Sequence, residues 1–135
     1  MTFITGTNSP FEQFPPNSVI SPVSCVSAVL AGDWVYMDSG GTAQLALADS
    51  AASSNVIGLC EAKLSVTSCV IRFQGLSDYE FAGLDTTQEY HLSAVSAGKM
   101  STTVPVATGE ILLRLGQPLS ATSFVVNKGI RIERA

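Results

Sequence analysis

Charge is what this sequence has least of. Only 13% of its 135 residues are Asp, Glu, Lys or Arg, while 46% are hydrophobic. Ordinary soluble domains carry roughly 25% charged residues. A chain this poor in charge either exposes apolar surface or buries it against partners, and exposed apolar patches mark interfaces. The expectation is an oligomer or one part of a larger assembly. A monomer surfaced with Ser and Thr is the alternative, because those residues count as uncharged. The small charge that remains is acidic, with a net value of −4. A general nucleic-acid binder needs a basic stripe to neutralise phosphates, so no nucleic-acid partner is expected. Lys128, Arg131 and Arg134 make the C-terminus locally basic, and Glu133 interrupts them. A solvated tail or a contact with an acidic neighbour is the reading for that stretch.

Other absences narrow the field further. No apolar run approaches the roughly 18 residues that cross a bilayer as a helix, so no membrane partner is expected. The first residues lack the basic and apolar regions of a secretory leader. Histidine occurs once, as His91, and cysteine three times, as Cys25, Cys60 and Cys69, without CxxC spacing. A structural zinc site takes four ligands, in spaced pairs, so no metal and no cofactor are expected. The cysteines sit in apolar, strand-like surroundings and read as small hydrophobes. A Cys60–Cys69 bridge across a hairpin is the alternative, but nothing marks an oxidising compartment; a reducing cytosol fits better. Helical periodicity is missing too: no segment carries a 3.6-residue apolar stripe over three turns.

What is present begins with proline. Residues 1–22 hold Pro10, Pro15, Pro16 and Pro22, four of the six prolines, together with Phe3, Ile4, Phe11, Phe14, Val19 and Ile20. Proline at this density blocks helix and central strand, whereas a disordered tail is usually poor in aromatics. An extended arm that docks its apolar side chains on a neighbouring subunit accounts for both. An arm folded back on its own domain is the competing reading. Residues 23–135 then form one β domain.

Within that domain, strands are expected at 23–29, 34–37 and 42–48, with a two-glycine turn at Gly40-Gly41 able to take positive φ. The run 56–62 is apolar around Gly58, a sign of a bulge or a close backbone approach. Residues 68–75 (SCVIRFQG) alternate, with Cys69, Ile71 and Phe73 on one side. Residues 76–84 place Tyr79 and Phe81 opposite Asp78 and Glu80. The last third, 87–127, carries a strand at 89–92, a Gly98-Lys99 turn, an apolar strand at 110–115 broken by Gly116 and Pro118, and a strand at 124–126. Residues 130–132 add a short terminal strand. Roughly nine or ten short strands, spaced by Gly, Pro, Asp and Ser, define an all-β chain: a compact β-sandwich or barrel of short antiparallel strands with an extended N-terminal arm.

No constellation of catalytic residues emerges, and no enzyme is expected. His91 lacks partners at a recognisable spacing and reads as a surface or interface histidine. Asp78 and Glu80 could form a hydrolase pair only across a cleft; carboxylates on one strand face more often solvate an edge. Calcium held by Asp78, Glu80 or Asp85 lacks a dense acidic loop. Trp34 and Tyr36 could stack on a sugar, but a strand aromatic is more often core.

The order of several short motifs is more informative. Val35-Tyr36-Met37-Asp38-Ser39-Gly40-Gly41 and Asn55-Val56-Ile57-Gly58 come first. Tyr90-His91-Leu92-Ser93, Ala97-Gly98-Lys99-Met100-Ser101-Thr102-Thr103-Val104-Pro105, Gly109-Glu110-Ile111-Leu112-Leu113-Arg114-Leu115-Gly116 and Leu119-Ser120-Ala121-Thr122 follow. Together these steps resemble a structural module of tailed-bacteriophage virion proteins. His91 stands where that family has a second Tyr, Ala97 where it has Pro, and Gln117-Pro118 replaces a Val/Arg-Ala step. Residues 1–22 have no counterpart. The family includes capsid decoration (cement) proteins, head fibres and tail-fibre segments. The resemblance implies an all-β structural protein, often a homotrimer, that binds the major capsid protein on the outer surface of a virion assembled in the host cytoplasm. The alternative it leaves is a head-fibre or tail-fibre component for host attachment, using exposed aromatics such as Trp34 or Tyr79. It implies no catalytic, cofactor or metal residues.

Overall fold

The computed structural model describes residues 20–134, and among these there is no helix. The arm residues Phe3, Ile4, Phe11, Phe14 and Val19 lie outside the described residues. Twelve short strands build the domain. The first five are β1 (Ile20–Ser24), β2 (Trp34–Met37), β3 (Ala43–Leu45), β4 (Val56–Ser65) and β5 (Ser68–Arg72). They form one antiparallel sheet in the order β1-β5-β4-β2-β3. Next come β6 (Gly75–Leu76), β7 (Tyr90–Leu92), β8 (Met100–Ser101), β9 (Ile111–Leu112), β10 (Arg114–Pro118), β11 (Phe124–Val126) and β12 (Ile132–Glu133). The second five-stranded sheet runs β6-β11-β10-β7-β8, and β12 pairs with β9 as a separate ribbon.

The first sheet is apolar on both faces. Along β2 and β4, successive side chains point to opposite sides. Trp34 and Leu59 therefore enter the core between the two sheets, with Leu92, Leu115, Phe124 and Val126 of the second sheet. Their neighbours Val35 and Cys60 enter a separate core with Cys25, Val29, Ala43, Cys69 and Ile71. That second core is enclosed because the sheet curls. Cys25, directly after β1, bridges in parallel to Ala43 of β3 and brings the two outer strands together. The Val26 amide adds a bond to the Ala43 carbonyl. Two cores in one small domain consume many apolar residues internally, which accounts for part of the charge poverty without a partner.

Gly58 answers to both readings of its sequence position. The pairing of β2 with β4 slips between Val35↔Gly58 and Tyr36↔Val56, a bulge. A Cβ at 58 would also stand 2.2 Å from the carbonyl oxygen of Arg72.

Several boundaries differ from expectation. β1 starts at Ile20, so Ile20 and Pro22 belong to the domain's first strand; as an outer strand, β1 tolerates a proline. The apolar run 110–115 is two strands that part at Leu113, whose side chain is buried in the inter-sheet core. Gly116 and Pro118 continue β10 instead of breaking it. At Gly116, φ is 149° and a Cβ would meet the Val125 carbonyl oxygen at 1.9 Å, so only glycine fits this irregular pairing. Beyond Leu76, residues 77–84 make a loop where a strand was expected. The loop is pinned by Phe81 N–H to Thr122 O and Leu84 N–H to Ala121 O, at 2.9 and 3.0 Å.

Candidate interaction surface

The loop after β6 builds one of the concave features of the surface. Tyr79 and Phe81 meet edge to face with ring centroids 4.8 Å apart, and Phe81 continues onto Phe124 at 5.8 Å. Tyr90 approaches Phe124 from another side at 6.0 Å, and its hydroxyl accepts the Asp85 amide at 2.9 Å. Beside these rings lies a groove of about 300 Å³ lined by Gly32, Tyr79, Phe81, Tyr90, Lys99 and Met100. Gly32 makes room for it: φ is 94°, and a Cβ there would fall 2.6 Å from the Tyr79 ring. At the groove, the Lys99 ammonium donates to Asp33 Oδ1 at 2.6 Å. The Lys99 side chain is 59% exposed, whereas that of Asp33 is buried.

Elsewhere the exposed surface carries scattered large apolar side chains. Val95 is 89% exposed, Ile130 83% and Val106 78%. Leu64 and Val66 stand out at the β4–β5 turn. None of these was singled out from the sequence.

The cations of the basic C-terminus bond to carbonyls of their own domain, with Arg131 still exposed. Lys128 donates to the carbonyls of Val56 and Ile57 at 3.2 and 2.8 Å. Arg131 reaches the Ala51 carbonyl, and Arg134 donates to the Pro105 carbonyl at 2.8 Å. Desolvation lowers the Lys128 pKa from its ordinary value.

The residues considered for chemistry do not converge. Trp34 is fully buried, so it is core and no sugar platform. Asp78 and Glu80 sit on a loop, not on a strand face. Asp78 lies 3.6 Å from the Arg72 guanidinium. Arg72 is itself buried in an ion pair with Glu61, through its Nε. Asp85 accepts from the Thr87 hydroxyl and amide, which lower its pKa. Among the described residues, no three His, Cys, Asp or Glu side chains are grouped to hold a metal. His91 is buried within the domain, whereas its sequence reading is a surface or interface histidine. Its Nε2 is 3.8 Å from Glu89, and its Nδ1 meets no acceptor among the described residues.

All three cysteines are free and share the enclosed core. Burial raises the Cys60 and Cys69 pKa values, so both remain thiols. The chain matches no protein-family model, no curated protein and no solved structure in comparison.

Proposed function

We propose that this chain is a capsid decoration protein of a tailed bacteriophage, which binds the outer surface of the shell as a homotrimer and stabilises it. The observation that carries the reading is the ordered series of motifs resembling virion modules, and where those motifs fall. Each occupies a piece of scaffold. Asp38 closes the turn after β2 by accepting from the Gly40 and Thr42 amides at 2.9 and 3.0 Å. Gly58 admits the Arg72 carbonyl. Gly98, at φ 77°, turns the chain into β8 beside Leu45 and Asp33. Ser120 organises the turn into β11 by accepting the Ser123 amide at 3.1 Å. The resemblance thus concerns residues that specify a module.

The exposed valines and isoleucines add support, since repeated weak apolar contacts suit a part that clasps a repetitive shell. A trimer multiplies such contacts. The candidate capsid and intersubunit contacts are Phe3, Ile4, Phe11, Phe14 and Val19, outside the described residues, together with Ile20, which belongs to β1. The fibre alternative loses its strongest aromatic, because Trp34 is inside the core.

The test is to mix the purified protein with capsids lacking their surface proteins and image them. Hundreds of copies at three-fold or quasi-three-fold positions are expected. A few copies at the tail, or none, overturn the proposal. Light scattering of the free protein checks the trimer.

A further inference from the structure

We infer that Pro22 closes the open edge of the first sheet against a second copy of this chain, which would otherwise add its own β1 there. The inference does not rest on the function proposed above.

The first sheet is closed at one end and open along one side. Cys25 and Val26, directly after β1, lie against Ala43 of β3. Over Ile20–Ser24, β1 pairs with β5 on its inner side, and among the described residues no strand pairs with its outer side. An edge of this kind presents backbone donors and acceptors that template pairing with another chain.

Two neighbouring amides fix which groups face outward. The Cys25 amide donates inward to the Thr67 carbonyl at 2.9 Å, and the Val26 amide donates outward to the Ala43 carbonyl at 3.1 Å. Backbone direction alternates along a strand, and the pairing of β1 with β5 runs without a slip from Ile20↔Arg72 to Ser24↔Ser68. Positions 20, 22 and 24 therefore turn their backbone groups to the open side. Position 22 is the middle of these, and proline has no N–H to offer there. Its carbonyl is engaged as well, since the Ser21 hydroxyl donates to it at 3.3 Å. The domain loses no bond of its own by this choice, because an amide at 22 would point away from β5.

The partner excluded is a second copy. Two β1 strands meeting antiparallel across a two-fold axis set position 22 against position 22. Facing residues at such a place exchange both N–H···O=C bonds. With proline in both chains neither bond forms, and each ring stands where an amide hydrogen would be. Charged side chains are the other common guard of an edge. β1, with the sequence ISPVS, has none, so the proline acts alone.

Sedimentation equilibrium of full-length variants tests this. Pro22→Thr restores an amide without adding apolar surface, and Pro22→Val restores it with a stronger strand former. Both are expected to reach about twice the native mass, the closed pair that a two-fold contact gives, at concentrations where the native protein keeps its own state. Hydrogen exchange should protect the amide introduced at position 22 only in the associated fraction. Ser24→Val adds an apolar side chain to the same edge and leaves Pro22 in place; it should sediment as the native protein does. Native mass for both proline variants across the whole range would overturn the inference. So would equal association of Ser24→Val, which would make surface apolarity the cause. Association with a freely exchanging amide at position 22 would place the contact elsewhere and overturn it too.

Discussion

Gly58 lies against the carbonyl oxygen of Arg72 with space for a hydrogen and nothing larger. The constraint is steric, since a Cβ would approach to 2.2 Å from that oxygen and 2.8 Å from an Ile71 methyl. Gly58→Ala must push β4 from β5, the most extensive pairing in the first sheet. The expected cost is about 3 kcal/mol, at the upper end of overpacking effects. Urea unfolding monitored by Trp34 fluorescence measures it. A change under about 0.5 kcal/mol would show that the strands separate freely there.

The buried ion pair of Glu61 and Arg72 should be far more sensitive than its exposed companion. Both side chains are 6% exposed, whereas Asp78 is 87% exposed. Removing one partner of a buried pair costs about 3–5 kcal/mol, because a charge is left without its counter-charge. Glu61→Ala is expected in that range. Asp78→Ala is expected below about 1 kcal/mol. Comparable losses from the two substitutions would contradict this assignment.

The three thiols should be silent in the folded protein. Cys25, Cys60 and Cys69 are buried in one core, and the reactive species is the thiolate. At pH 8, labelling by a disulfide reagent should run at least about a hundredfold slower than for a free thiol, since it requires opening of the core. All three should then become reactive together as denaturant unfolds the domain. Rapid labelling of any one in native buffer would mean the curled sheet opens locally.

Stability should rise with pH through two groups, at opposite ends of the pH scale. Hydrogen bonds from Gln44, Thr42 and the turn amides hold the Asp38 pKa below its ordinary 3.8. The unfolded chain therefore takes up the proton first, and this contribution, complete above pH 3.8, is lost as pH falls through the folded value. For Lys128, burial lowers the folded pKa below 10.5. Between those two values the unfolded chain holds more protons, so stability from this group rises with pH there. Asp38→Asn should flatten the acid side of the stability curve, and Lys128→Gln the alkaline side. Thermal unfolding from pH 2.5 to 11 checks both.

Much of the fold was legible because its signals were local. The strands at Trp34–Met37 and Phe124–Val126 match their apolar runs residue for residue. Alternation in SCVIRFQG placed Cys69 and Ile71 inside, as found. Local signals also misled. Tyr79 and Phe81 alternate with Asp78 and Glu80 as in a strand, yet no strand pairs with them; the rings instead stack toward Phe124. Charge poverty pointed outward to partners, while part of its cause is internal, in a sheet buried on both faces. The groove was invisible for a different reason. Gly32, Tyr79, Tyr90 and Met100 come from separate stretches, and no spacing rule connects them. The sequence offered only Gly32, and a glycine after Ala31 reads as an ordinary turn; its φ of 94° and its closeness to the Tyr79 ring belong to the folded chain.

The tethering of Lys128, Arg131 and Arg134 to backbone carbonyls has an effect beyond the fold. Lys63 is spent in the same way, on the carbonyls of Val26, Ser27 and Val29. Asp49, Asp78, Glu80, Asp85, Glu89 and Glu133 meanwhile face solvent. Hydrogen bonds to carbonyls leave these cations charged, so the far field is that of the net charge of −4, while close to the surface the carboxylates are the more exposed groups. Copies carrying this field repel one another at low ionic strength and approach closely once salt shortens the Debye length below about 10 Å. Colloidal behaviour, and with it the concentration at which copies begin to touch, is set by that net charge and by salt.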